Sequence, residues 1–185
     1  MISGCFLGIP LPDDMKNKFA EMLAELKDIH AARYQKASTP HYTMLYFGQL
    51  REENADKIMD RISTLVNVIK PFALKSGSIG YFGTARHPRV IWIGTQPNEE
   101  LASLHAQVDQ AVGSFAERRE SREFQPHLTV ARITSARDLI EKKPALEEII
   151  SRYDFSCTAD RLCLYSVNSE THERQSPIRE FHFGC

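Results

Sequence analysis

A short pattern occurs twice in this chain and restricts its fold more than any other feature. The first copy is His41-Tyr42-Thr43 within PHYTMLYFG, and the second is His127-Leu128-Thr129 within PHLTVARI. Each follows a proline, and each lies in a run of β-branched and aromatic residues that predicts a strand. Residues i and i+2 of a strand share a face, so each copy projects an imidazole and a hydroxyl from one side of a sheet.

The periodicity around these strands alternates between helix and strand. Ile2 to Ile9 reads as a buried strand ended by Pro10 and Pro12. Met15, Phe19, Met22, Leu26 and Ile29 predict a helix from Asp13 to His30, and residues 31–40 are polar and irregular. His41 to Phe47 is a strand closed by Gly48, and Ile58, Ile62, Leu65, Val66 and Ile69 mark a second helix stopped by Pro71. Phe72 to Phe82 and Arg89 to Thr95 read as two strands joined by GTARHP. A third helix carries Leu101, Leu104, Val108, Val112 and Phe115. Pro126 to Ile133 is a strand, residues 137–152 a fourth helix, and Phe155 to Val167 with Ile178 to Phe183 a closing strand pair around SETHERQS. Paired strands without helices between them point to an α+β fold with helices outside mainly antiparallel sheets.

The chain has 185 residues, 42% apolar and 25% charged, with no Pro/Gly/Ser linker, so residues 1–185 are expected to form a single domain with a core that needs no covalent staples. Lys plus Arg is 23 and Asp plus Glu is 24, which excludes capture of long nucleic acid by a uniform positive field. A small anion held by a local cation cluster is still compatible with that balance. Cys5, Cys157, Cys163 and Cys185 form no CxxC pair and no zinc spacing with His, so reduced thiols are expected. No signal peptide or membrane span is evident, and the expectation is a cytoplasmic protein without membrane contact.

Two His-Thr pairs supply what in-line displacement at phosphorus requires. One imidazole takes a proton from water while the other gives one to the leaving oxygen. The hydroxyls of Thr43 and Thr129 hydrogen-bond the non-bridging oxygens, where charge gathers in the transition state. Arg132, five residues after His127, adds a permanent cation whose fork suits phosphate. Metal catalysis is the weaker chemistry, because no HxH, HExxH or carboxylate cluster completes a ligand set, and no nucleophile elbow surrounds a Ser or Cys.

Duplicated HxT motifs, the first running into Phe47-Gly48 and the second into Ala131-Arg132, resemble the 2H phosphoesterase superfamily. The closer resemblance is to RNA 2′,3′-cyclic phosphodiesterases of the LigT/ThpR type, also called 2′-5′ RNA ligases. FLGIPLPDDMKNKF resembles that family's first strand and helix, IGYFGTARHPRVIWIG its middle hairpin, and LCLYSVNSETHERQSPIREFHF its closing hairpin. The first motif departs mildly, with Met44, Tyr46 and Gln49 at positions where other residues are usual. The resemblance implies a bilobal LigT-like fold, two pseudo-symmetric lobes with outer helices and one HxT motif each about a central cleft. It also implies metal-independent and cofactor-free opening of 2′,3′-cyclic phosphates, at RNA 3′ ends or on nucleotides, to 2′-phosphates. His127 is the expected base and His41 the expected acid, with Thr43, Thr129 and Arg132 on the phosphate. The reverse reaction, 2′-5′ joining of RNA ends, is implied as a side activity, and a monomer with no obligate protein partner is expected. The alternatives are the same chemistry on ADP-ribose 1″,2″-cyclic phosphate or a cyclic oligonucleotide, and an RNA-binding protein without catalysis.

Tyr46, Phe82 and Trp92 have the chemistry to stack on a base, but strand aromatics ordinarily pack in a core, and a core place is expected for each. Arg86, His87 and Arg89 suit the cleft mouth or a solvated loop, and the latter is the expectation. Arg118, Arg119 and Arg122 alternate with Glu117, Glu120 and Glu123 and read as a solvated face. His30, His105, His172 and His182 lack a Thr partner and receive no role.

Overall fold

The structure is a computed structural model that describes residues 1–118, 123–167 and 177–184. The loop arginines Arg119 and Arg122, Cys185 and the whole of SETHERQS, His172 included, lie outside the described residues. The strands are β1 (Ile2–Pro10), β2 (Ala32–Tyr34), β3 (His41–Leu50), β4 (Phe72–Leu74), β5 (Ser76–Gly83), β6 (Pro88–Thr95), β7 (His127–Ile133), β8 (Cys157–Ala159), β9 (Arg161–Tyr165) and β10 (Arg179–His182). The helices are α1 (Asp13–Leu26), α2 (Glu52–Val66), α3 (Glu99–Val112) and α4 (Ala136–Ser151).

Helix starts follow local chemistry. The Asn98 side chain accepts from the Leu101 amide and the Ser135 hydroxyl from the Asp138 amide, which caps α3 and α4. Asp13 and Asp14 in α1, and Glu52 and Glu53 in α2, complement the positive helix end where no side-chain cap exists. Several boundaries differ from the sequence expectation. Helix α1 stops at Leu26, and residues 32–34 of the polar segment form β2 by pairing with β7. Strand β3 runs on through Gly48, whose φ of +81° costs glycine little. The expected strand Phe72–Phe82 breaks at Lys75, and its first three residues pair with β8 in a separate small sheet. Pro144 lies inside α4.

Among the described residues the main sheet has eight strands in the order β10-β9-β1-β3-β7-β6-β5, with β2 also on β7, and each of these pairings is antiparallel. It divides into two four-stranded lobes, β10-β9-β1-β3 and β2-β7-β6-β5, which meet where Tyr42 of β3 pairs with Leu128 of β7. Helices α2 and α3 pack on each other and on the first lobe, while α4 lies along β5 and packs against α1. Each lobe thus has a helix pair on one face, which buries alternate strand residues such as Leu7, Ile9, Tyr42, Met44, Ile91, Ile93, Leu128 and Val130. The intervening residues point to the opposite face, which the described helices leave uncovered. Cys5, Cys157 and Cys163 are free thiols. Among the described residues no helix is long and apolar enough to cross a membrane.

Candidate active site

The two HxT motifs meet at the seam between the lobes. Tyr42 and Leu128 pair and point into the core, both fully buried. That register sets His41 opposite Thr129 and Thr43 opposite His127 on the outer face. The four side chains occupy the corners of a rectangle with the imidazoles on one diagonal. Diagonal partners across antiparallel strands are roughly 7–8 Å apart, which leaves room for one tetrahedral phosphorus between two rings.

Both histidines are oriented in the same way. His41 Nδ1 lies 2.8 Å from the Thr39 carbonyl, and His127 Nδ1 lies 2.8 Å from the Gln125 carbonyl. A carbonyl only accepts, so in each case Nδ1 donates and the neutral ring carries its lone pair on Nε2. The proline between carbonyl and histidine explains this recurrence. Pro40 and Pro126 hold the preceding residue extended, which presents its carbonyl to the ring two positions on.

The surroundings of the two rings differ. His41 is 7% exposed and set back, stacked on Phe6 at 4.7 Å with Tyr165 beyond it at 5.6 Å. Gly8 of the neighbouring strand lies against its edge, and a Cβ there would stand 3.1 Å from His41 Cδ2. His127 meets Phe82 edge-on at 4.7 Å and faces Trp92 at 6.1 Å. Burial against these rings lowers the His127 pKa, and its hydrogen bond to Gln125 only partly opposes the shift. Trp92 itself lies across Gly80, where a Cβ would stand 2.2 Å from the indole.

Arg132 reaches this face through a bulge. Regular alternation would send a residue five positions after His127 to the core side. Between Trp92↔Thr129 and Ile91↔Ala131 the β6–β7 register shifts by one residue, so Val130 and Ala131 are both buried and Arg132 emerges outward. Thr43, His127 and Arg132 line a cleft of about 1370 Å³ together with Tyr46, Phe82, Trp92, His87 and Arg89. Tyr46 is 59% exposed, and Phe82 and Trp92 are half-buried cleft-wall residues, so none of the three takes the expected core place. His87 and Arg89 are exposed, as expected, and they also line the cleft, as does Arg118. His105, which the sequence left without a role, lines the far wall stacked on Phe124 at 3.8 Å, where burial lowers its pKa. Sequence reasoning missed Phe6, Gly8 and Tyr165, because their approach to His41 depends on pairings among β1, β3 and β9. Among the described residues no group of three or more His, Cys, Asp or Glu is placed to hold a metal ion.

The chain resembles known proteins along most of its length. The RNA 2′,3′-cyclic phosphodiesterase of Bacillus subtilis is 28% identical over 181 residues, covering 95% of this chain and 91% of the relative. The protein of that name from Aeropyrum pernix is 31% identical over 140 residues, covering 75% of this chain and 76% of the relative. E. coli LigT complexed with 3′-AMP superposes with a TM-score of 0.76 over 99% of both chains at 18% identity, a likeness of fold. The family model of the 2′-5′ RNA ligase superfamily matches residues 10–171, a span that holds both HxT motifs, and the chain belongs to that superfamily.

Proposed function

We propose that this protein is a metal-independent phosphoesterase that opens 2′,3′-cyclic phosphates on RNA ends or nucleotides to 2′-phosphates. The observation that carries the proposal is the Tyr42↔Leu128 register, which makes one four-cornered site from two separate His-Thr pairs. The names of the relatives, RNA 2′,3′-cyclic phosphodiesterase, support the substrate class. Water attacks phosphorus as His127 Nε2 takes its proton. The P–O3′ bond then breaks, and His41 gives a proton to the departing 3′ oxygen, leaving a 2′-phosphate and a 3′-hydroxyl. The lowered His127 pKa supports its role as the base, since it keeps the ring neutral near pH 7. Diagonal placement suits an in-line path, with base and acid on opposite sides of phosphorus. Thr43, Thr129 and Arg132 hold the non-bridging oxygens, and the recessed position of His41 shields its proton from bulk water. On this reading residues 1–185 act as one bilobal catalytic domain, monomeric and cytoplasmic, with 2′-5′ ligation as the reverse reaction.

The test is incubation with 2′,3′-cyclic nucleotides and with ADP-ribose 1″,2″-cyclic phosphate, each with EDTA, followed by chromatography of the products. The expected outcome is 2′-phosphate from the nucleotides at an unchanged rate. Absence of nucleotide turnover, 3′-phosphate products, or loss of rate restored by Zn²⁺ or Mn²⁺ would overturn it.

A further inference from the structure

Strand β2 pairs with β7 so that Arg33 stands directly opposite Arg132, and Val90 of β6 stands opposite Arg132 on its other side. Opposite residues of antiparallel strands share a face, so both guanidiniums emerge on the cleft side. Both are exposed, and Arg89, next to Val90, lines the same cleft. Like charges set directly opposite each other are unfavourable in a sheet unless an anion intervenes. Among the described residues none of these three arginines is in an ion pair, and the strands β2, β5, β6 and β7 contain no carboxylate at all. In a chain with 24 acidic and 23 basic residues this is a local separation of charge. Among the described residues, the carboxylates that line the cleft, Asp109, Glu117 and Glu123, come from α3 and the segment after it.

We infer that Arg33, directly opposite Arg132 and with Arg89 on the far side of β7, forms a second phosphate subsite that takes the phosphate on the 5′ oxygen of the nucleoside whose cyclic phosphate is opened. The inference rests on the reading of the HxT rectangle as a cyclic phosphodiesterase site. Arg132 stands about two residue rises, roughly 7 Å, beyond Thr129 along β7, because the bulge absorbs one residue. The Arg132 side chain can reach back toward the phosphorus under attack, and Arg33, directly across from it on the edge of β7 that β3 occupies further along, is placed to take a neighbouring phosphate. A guanidinium fork suits either a terminal 5′-monoester or the internal diester of an RNA strand.

Three substrates separate these sources: adenosine 2′,3′-cyclic phosphate, its 5′-phosphorylated form, and the dinucleotide ApA ending in a cyclic phosphate. The readout is the ratio of kcat/KM on each phosphate-bearing substrate to that on the nucleoside cyclic phosphate. R33A should lower both ratios roughly tenfold, as expected for an exposed charge-assisted contact, and R33K should restore part of the loss. The decline of kcat/KM on ApA with salt should become shallower by about 0.7 on a log–log plot, the contribution of one phosphate contact to a single strand. A fall in one ratio alone would assign the subsite to the monoester or to the diester. Unchanged ratios, or an equal loss on all three substrates with a lowered melting temperature, would overturn the subsite while leaving the catalytic reading intact. If the wild type turns over none of the three, the catalytic reading fails and takes this inference with it.

Discussion

Gly8→Ala separates the positioning of His41 from the stability of the sheet. Gly8 pairs with Thr43 on one side and Cys163 on the other, and its φ is not in the left-handed region, so alanine meets no backbone strain there. The added Cβ would lie 3.1 Å from His41 Cδ2 and 3.1 Å from the Tyr42 carbonyl oxygen. To regain ordinary contact the imidazole must retreat by about 0.3–0.5 Å. Phe6 stacks on its face and Thr39 holds Nδ1, so the retreat shifts Nε2 from its place. A misplacement of 1 Å costs about 10²-fold in rate, so this shift should cost roughly four- to tenfold in kcat. Stability should barely change. Replacing glycine by alanine in a strand gains about 0.5–1 kcal/mol of backbone entropy, and a strained side chain costs about as much. The assay is kcat and KM on adenosine 2′,3′-cyclic phosphate, alongside a urea titration of stability. Wild-type kcat in a variant whose stability is also unchanged would refute the claim that this packing positions a catalytic imidazole. A rate loss that merely tracked a loss of folded protein would refute it equally.

Other outcomes follow from the same geometry. His41→Ala and His127→Ala should each lose on the order of 10²–10⁴ in kcat/KM and remain folded by circular dichroism. The double variant should fall by less than the product of the two, and Thr43→Ala and Thr129→Ala by less than either histidine. Phe82→Ala admits water to the edge of His127 and relieves the burial that lowers its pKa. A base works only when deprotonated, so the acid limb of kcat/KM should move to higher pH, and NMR titration of the ring should show the same upward shift. The sign for stability is the same: the neutral ring's contribution is whole above about pH 6.5 and is lost as pH falls from there through the lower folded value, a loss the Phe82→Ala variant should reduce. Burial pushes the thiols of Cys5, Cys157 and Cys163 up to about 11, so iodoacetamide should label the native protein slowly at pH 8. In urea all three should be labelled without a reductant, and any site that needed reduction first would contradict the free-thiol state.

The residue types of the site and their pairing are legible in the sequence alone. His-x-Thr in a strand puts imidazole and hydroxyl on one face, because the side-chain period of a strand is two. Both copies lie in strands, and that period alone sets Tyr42 and Leu128 on the face opposite the two His-Thr pairs. The proline before each histidine is legible as a letter, although its role in presenting a carbonyl to Nδ1 becomes visible only with the ring in place. Local signals also decide the helices, whose apolar spacing and caps depend on neighbours within one turn.

What needs the tertiary structure depends on register. Nothing in PHYTMLYFG or PHLTVARI states that β3 and β7 pair, or that they do so at Tyr42↔Leu128 and not one residue away, which would set the rectangle askew. Arg132 is misplaced by strand parity, and only the bulge at Val130, a feature of the β6–β7 pairing, turns it to the cleft. β2 is not readable from the polar segment 31–40, since three residues become a strand only when a partner supplies the hydrogen bonds. Tyr46, Phe82 and Trp92 carry the composition of core residues, and their place on the cleft wall depends on which sheet face the helices cover. The sequence thus determined which groups can do the chemistry and how each pair is aimed along its own strand. Long-range strand pairing decided where the two pairs meet, because hydrogen-bond register between distant segments is settled by the burial of whole faces and not by the residues that the site itself displays.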